Sequence, residues 1–225
     1  MTLQILLDAW ITSGAFHDVN PPAPEAEIKT AEEKIGTPLP QLLCEVYQLF
    51  NGGWWWDLEF FTALEPKRYF YSLTDGNEQF IEDGWHIPKE IRLFAGMGGE
   101  EFFGIWLAET GNPIYNHPII EVGELHDEGC MGVAGTNLLS FLHRWSAYHL
   151  VYDERDKLEE GGEELRRIQS ALDMLQVPQS LRGEHFDDEM SPFRKWADPQ
   201  LPNPYGDSYS QQYTIGDLKR LFGET

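Results

Sequence analysis

A helix, a proline step, a second helix and a glycine turn follow one another near the N-terminus, and this order constrains the fold more than any other feature. Ile28, Ala31 and Ile35 recur at three- and four-residue spacing, which predicts an amphipathic helix. Gly36 follows at a position where helices commonly end in a left-handed residue. Pro40 can occupy the first turn of the second helix, which we expect to be buried on two sides. The unit contains no catalytic group, so it predicts architecture.

The glycine turn closes this unit with residues that tolerate positive φ. The positions that carry the pattern are, in order, Ile28, Glu32, Ile35-Gly36, Leu39-Pro40, Tyr47 and Asn51-Gly52-Gly53. Their order resembles the SUKH superfamily, which joins fungal regulators of cell-wall glucan synthesis to bacterial immunity proteins against polymorphic toxins. Two weaker family motifs are similar to Leu93–Gly99 and to Ser140-Phe141-Leu142. The resemblance covers about residues 1–150 and implies a SUKH-like fold.

Beyond the glycine turn the pattern changes from helices to strands. Apolar and aromatic runs between turn signals predict a mainly antiparallel sheet that includes residues 68–73, 91–95, 102–107 and 114–122. We expect a turn at Thr74–Asn77, and Pro118 suits an edge strand or a bulge. A closing helix capped by Thr136 or Asn137 follows. Helices, then strands, then a helix indicate an α+β fold without alternating βαβ units.

The character of the chain changes again near residue 150, which separates a SUKH-like domain, residues 1–150, from a C-terminal extension, residues 151–225. Within the extension we expect a short amphipathic helix around Leu165–Leu175, a strap or tail rich in proline and tyrosine, and a final helical turn. Its aromatic residues favour packing on the core: Phe193, Trp196, Tyr205, Tyr209 and Tyr213. At the other terminus, Leu3–Ile11 predicts a helix and not a signal peptide.

The net charge of the chain limits the classes of molecule that it can be expected to bind. Thirty-eight acidic against sixteen basic residues give the chain a formal net charge of −22. Such a field disfavours nucleic acids and anionic membranes and attracts basic proteins, although acidity that serves solubility alone is an open alternative. No run approaches the roughly 20 apolar residues of a membrane span, and the two cysteines predict no disulfide framework. We therefore expect a cytoplasmic protein.

Residue patterns that support catalysis are sparse. His126-Asp127-Glu128-Gly129-Cys130 gathers several ligand types but lacks the spacing of a zinc site. Gly96–Gly99 lacks the Lys-Ser/Thr of a phosphate-binding loop, and Cys44 falls in an apolar helix, as a core residue does. His143 and His149 lie six residues apart on a predicted helix, which places them on different faces. We therefore predict no catalytic residue, no cofactor and no metal.

Three consecutive tryptophans, Trp54-Trp55-Trp56, give the strongest signal for binding. Alternate side chains of a strand face opposite ways, so at least one of the three is exposed or meets another element. An exposed tryptophan beside Asp57 and Glu59 suits a hot spot for a basic partner, but the aromatic residues of the extension could cover it instead. The predicted partner contacts are Trp55, Asp57, Glu59, Glu100, Glu101, Asp127 and Glu128.

Together with the charge, the resemblance implies a non-enzymatic binding protein, namely an immunity protein that captures and neutralises a basic cognate toxin. Two other functions stay open: a regulatory scaffold akin to the fungal glucan-synthesis regulators, and a hydrolase with an unrecognised acid pair. A large toxin gene beside this one distinguishes the first function from the second. Turnover that is lost on substitution of His126 or Glu128 distinguishes the third.

Overall fold

A computed structural model of the protein describes residues 1–65, 71–82, 85, 87–97, 101–123, 131–182, 191–202 and 212–223. The positions discussed above that lie outside these ranges are residues 68–70, Gly98, Gly99, Glu100, His126–Cys130, Tyr205 and Tyr209. Within the ranges, seven strands form one sheet in chain order: β1 Phe16–His17, β2 Gly53–Trp55, β3 Leu58–Phe60, β4 Ile91–Met97, β5 Glu101–Trp106, β6 Ile119–Gly123 and β7 Gly132–Gly135. Each strand pairs antiparallel with the next, which confirms the predicted α+β class.

Helices precede, interrupt and follow this meander. The described α-helices are α1 Leu3–Ser13, α2 Glu25–Ile35, α3 Gln41–Leu49, α4 Asp75–Glu82, α5 Leu138–Lys157, α6 Gly162–Met174, α7 Ser191–Ala197 and α8 Ile215–Phe222. They cover both faces of the sheet. Because neighbouring residues of a strand point to opposite faces, their side chains pack in two different cores. On β5, for example, Phe103 packs in the core beneath α1 and α5, whereas Phe102 packs in the core that includes Leu218 of α8.

The helix–proline–helix unit forms as predicted, with one correction. Gly36 ends α2 in a left-handed conformation with φ 81°. The Glu32 carboxylate accepts a hydrogen bond from the Leu39 backbone N–H at 2.8 Å, which fixes the chain between the two helices. Pro40 is the residue that precedes α3, not a residue of its first turn. Tyr47 lies in the core, where burial raises the pKa of its hydroxyl.

The glycine turn is held by the buried side chain of Asn51. Its amide donates to the Glu27 carboxylate at 2.7 Å and its carbonyl oxygen accepts from the Ala63 backbone N–H at 2.8 Å. Gly52 has φ 84°, and a Cβ at this position would lie 2.9 Å from a methyl carbon of Thr62. The Asn-Gly-Gly motif therefore joins α2 to the segment that follows β3, through its backbone conformation and one amide side chain.

Replacing Asn51 with alanine is expected to lower the free energy of unfolding by about 2 kcal/mol, because the substitution leaves a buried N–H without a partner and removes two hydrogen bonds. Equilibrium denaturation in urea measures the loss. Glu27→Gln serves as the matched control, since its amide oxygen can still accept from Asn51, and it should change stability by much less. Equal losses in the two variants would show that the charge of Glu27, and not the Asn51 amide, stabilises the turn.

Three local expectations differ from the structure. Thr74–Asn77 is not an isolated turn: α4 begins at Asp75, whose backbone N–H donates to the Ser72 hydroxyl at 3.0 Å. Of the strand expected at 68–73, the described part makes a single bridge from Ser72 to Thr62. Pro118 does not lie on an edge strand, because β6 begins after it and runs between β5 and β7. A shift of the β6–β7 register directly after Pro118 agrees with the expected bulge.

The residues after 150 pack on the same sheet as the residues before it. α5 continues past residue 150 to Lys157, and Asn137 caps its first turn. α6 buries Ile168 and Leu172 in the core beneath α1. On the opposite face, Phe222 of α8 packs edge-on against Trp106 at a ring separation of 4.9 Å. The extension therefore supplies apolar side chains to both cores.

Candidate functional site

The site begins at the hairpin that joins β2 to β3. Trp55 pairs with Leu58, which leaves Trp56 and Asp57 as a two-residue turn. Trp56 has φ 48°, in the left-handed region that bulky residues rarely adopt. Backbone strain of this kind persists only where the surrounding contacts hold the residue in place. The contacts of the Trp56 side chain are therefore informative.

Of the three tryptophans, the middle one points inward. Trp55 is fully buried and stacks on Trp10 with ring centroids 4.7 Å apart. The prediction that Trp55 contacts a partner is therefore corrected, because its side chain lies in the core. Trp54 and Trp56 are both partly exposed, as alternation along a strand requires.

Helix α5 receives the Trp56 side chain. The indole N–H donates to Oδ2 of Asp153 at 2.5 Å, and the ring stacks on the imidazole of His149 with centroids 5.6 Å apart and planes 23° apart. The ring of Trp145 also packs against His149, with the two ring centroids 4.9 Å apart. Trp145, His149 and Asp153 follow one another at four-residue spacing, so they lie on one face of α5.

Asp57 completes what we call the Trp56 patch: Trp56, Asp57, His149 and Asp153. One carboxylate oxygen of Asp57 lies 3.6 Å from Nε2 of His149, and the Asp57 side chain is 52% exposed. Burial lowers the pKa of His149, an effect that Asp57 opposes and Arg144 reinforces. Burial raises the pKa of Asp153, although the hydrogen bond from Trp56 acts in the other direction. The patch thus combines a partly exposed indole with two acids and an imidazole whose neutral form is favoured.

More acids surround the patch on the side of α5 and α6. Asp156 and Glu164 act on the Asp153 carboxyl and raise its pKa further. Both are well exposed, and Lys157 lies 3.7 Å from Glu164. Negative charge around Trp56 therefore comes from the hairpin and from both helices.

The remaining predicted contacts divide into three groups. Glu59 lies on β3, where its carboxylate accepts from the Tyr71 backbone N–H at 3.3 Å and burial raises its pKa, so it has a local partner already. Glu101 is the first residue of β5. It pairs with Met97 of β4, which in turn pairs with Leu58 of β3, so Glu101 lies at the same end of the sheet as Trp56. The other three, Glu100, Asp127 and Glu128, lie outside the described residues, in the segments that connect β4 to β5 and β6 to β7.

A second surface feature lies at the opposite end of the strands. A depression of about 510 Å³ opens between the N-terminal ends of α3 and α5, and its lining includes Pro40, His117 and Asn137. The Asn137 side chain is already used as the cap of α5, and one His117 ring nitrogen lies 2.8 Å from the Trp106 carbonyl oxygen. Two of the polar side chains that line the depression are therefore engaged in contacts within the protein.

In the described part of the chain, no three His, Cys, Asp or Glu side chains lie where they could share a metal ion. In the same ranges, no helix combines the length and the apolar character that crossing a bilayer requires.

The seven-stranded meander, the helix–proline–helix unit and the glycine turn define a protein of the SUKH-like α+β class. The chain matches the SMI1/KNR4 family (SUKH-1) over residues 22–144 and belongs to this family. Comparison with curated proteins finds no match. The matched segment holds Trp56 and Asp57, whereas His149 and Asp153 lie beyond it, so the patch joins the family domain to the rest of the chain.

Sequence reasoning missed Trp56, His149 and Asp153 as site residues. The four-residue spacing from Trp145 to Asp153 signals a shared helix face, and this could have been noticed. The contact of that face with the hairpin turn depends on how α5 packs on the sheet, which no local pattern encodes.

Proposed function

We propose that this protein is a non-enzymatic binding protein of the immunity type, which captures a basic toxin domain and covers its active site or substrate groove. Membership of the SMI1/KNR4 family (SUKH-1) supports this class of function. The Trp56 patch is the surface we assign to the contact, together with the exposed acids of α5 and α6.

The observation that carries the proposal is the position of Trp56. Its ring is held at a hairpin tip in a strained backbone conformation, partly exposed, with carboxylates on two sides. Tryptophans in such positions are the residues that most often dominate the energy of protein interfaces. A lysine or arginine side chain placed on the ring gains a cation–π contact and an ion pair at once.

Charge then determines the rate of encounter. With a net charge of −22, the protein attracts a basic domain over distances comparable to the Debye length, about 8 Å at physiological ionic strength. This attraction raises the association rate, whereas the packing of Trp56 controls how long the complex lasts.

Replacing Trp56 with alanine is expected to weaken binding of the cognate toxin domain by about 30-fold or more, because loss of a central aromatic anchor costs about 2 kcal/mol or more. The proposal predicts a gene for a basic toxin domain beside this one, and that domain is the partner to use in surface plasmon resonance. Trp54→Ala is the matched control: this ring is also partly exposed, but Trp54 lies within β2, paired with His17 and Glu59, and not in the turn that contacts α5. Equal affinities of the two variants would contradict the assignment of the surface.

A further inference from the structure

The distance between His149 and Asp57 lies between that of a hydrogen bond and the upper limit of an ion pair. At 3.6 Å the imidazole Nε2 and the carboxylate oxygen are too far apart for a hydrogen bond but close enough for an ion pair. The Nε2 atom is buried and has no hydrogen-bond partner among the described residues. A small movement of the exposed Asp57 side chain would give that nitrogen a partner.

We propose that His149 is a proton-operated latch on the Trp56 patch: when it is protonated, it draws Asp57 into a charge-assisted hydrogen bond and withdraws that charge from a basic partner. The inference rests on the proposed function, since it concerns regulation of the same surface. A hydrogen bond between ionised groups is shorter and about twice as strong as a neutral one, so the closed form gains a defined geometry.

The charged and titratable groups around His149, together with its burial, determine whether its pKa is raised or lowered. From the hairpin, Asp57 faces it and favours the protonated form; from its own helix, Arg144 disfavours that form. Asp153, one turn further along α5, accepts the hydrogen bond from the Trp56 indole N–H, and the Trp56 ring stacks on the imidazole of His149. Burial acts against the charged ring and lowers the pKa of His149 below the ordinary value of about 6.5. At neutral pH His149 is therefore neutral and Asp57 is free to meet a partner, and the latch closes as the pH falls through the lowered pKa of His149.

The aromatic surroundings connect the proton to the binding surface. An imidazolium is attracted to the faces of Trp56 and Trp145, whose ring centroids lie 5.6 and 4.9 Å from that of His149. The same positive charge under the Trp56 ring repels a partner's lysine or arginine above it. Protonation thus weakens binding in two ways, by neutralising Asp57 and by placing a cation beneath the anchor.

Titration of the free protein tests the latch without any partner. The Cε1–H resonance of His149 and the indole N–H resonance of Trp56 are followed by NMR from pH 8 to pH 5. Both are expected to move with one midpoint. Asp57→Asn should shift the midpoint of His149 to lower pH, because the variant lacks the charge that favours the imidazolium. A His149 midpoint that is the same in Asp57→Asn, or a Trp56 resonance that ignores the titration, would overturn the proposal.

Binding gives the second readout, with an oligo-arginine peptide as the cationic probe. Its affinity for the protein is expected to fall on acidification through the His149 midpoint, by up to about tenfold for a coupling of one pKa unit. In His149→Gln this pH dependence should disappear, and the same dependence in both proteins would overturn the latch. The proposed function fails separately, if the toxin domain binds Trp56→Ala as tightly as the unaltered protein. The coupled titration of His149 and Trp56 is measured in the free protein and does not depend on that result.

Discussion

Replacing Trp55 with alanine is expected to lower the free energy of unfolding by about 3–5 kcal/mol, the range for truncating a large buried aromatic side chain. The Trp55 ring is fully buried, stacks on Trp10 and meets Trp56 edge-on at 4.6 Å. The substitution therefore opens a cavity where α1 packs on the hairpin. Equilibrium denaturation followed by circular dichroism measures the loss.

The neighbouring variant Trp54→Ala provides the comparison, because it removes the same side chain from the same strand on the opposite face. We expect it to cost much less stability, since Trp54 is partly exposed. The difference tests the register of β2 directly. A one-residue slip would turn Trp54 and Trp56 inward and Trp55 outward. A larger loss in Trp54→Ala than in Trp55→Ala would therefore contradict the strand pairing.

Replacing Asp198 with alanine is expected to lower stability by about 3–5 kcal/mol, because it removes one partner from a buried ionic cluster. The Asp198 carboxylate accepts from the Thr136 backbone N–H at 2.7 Å and from the Thr136 hydroxyl at 2.9 Å. Arg144 and Arg194 are also buried, and both act on the Asp198 carboxyl. Without the Asp198 carboxylate, the buried guanidinium groups of Arg144 and Arg194 lose a neighbouring negative charge that compensates them. The burial of Arg144 already lowers its pKa to about 9.

The control for this variant is Thr136→Val, which removes one hydroxyl group and keeps the charges, and should cost about 1 kcal/mol. Thr136 and Arg144 belong to the segment matched by the family, whereas Arg194 and Asp198 come from the C-terminal extension. A large difference between the two variants would show that the extension is part of the folding unit. If Asp198→Ala cost no more than Thr136→Val, the cluster would not hold α7 in place.

Local patterns were sufficient for the parts of the fold that depend on neighbouring residues. Helix α2 ends at Gly36 because the left-handed conformation there suits glycine, and α5 begins at Asn137 because its side chain caps the first turn. The mainly antiparallel sheet followed from apolar and aromatic runs separated by turn signals. The turn expected at Thr74–Asn77 failed because the Ser72 hydroxyl accepts from the Asp75 N–H and starts a helix at the same residues.

The proposed binding surface could be predicted less fully from the sequence than the fold. The tryptophan triplet indicated an exposed ring, but the strand register decides which ring that is, and the register depends on pairing with β1 and β3. The roles of His149 and Asp153 depend on how α5 packs against the hairpin, and Asp153 lies in the part of α5 that continues past residue 150. Acidic composition indicated the sign of the partner's charge but not the place of contact.

Amide hydrogen exchange on the protein, alone and in complex with the basic toxin domain, tests the central claim most directly. The proposed mode of capture predicts slower exchange in the hairpin, residues 53–60, and in the C-terminal half of α5, residues 149–157. Exchange around the depression at the other end of the strands, at residues 40–45 and 116–117, should stay unchanged. Slower exchange confined to the depression, with the Trp56 hairpin unaffected, would contradict the claim that the Trp56 patch captures the partner.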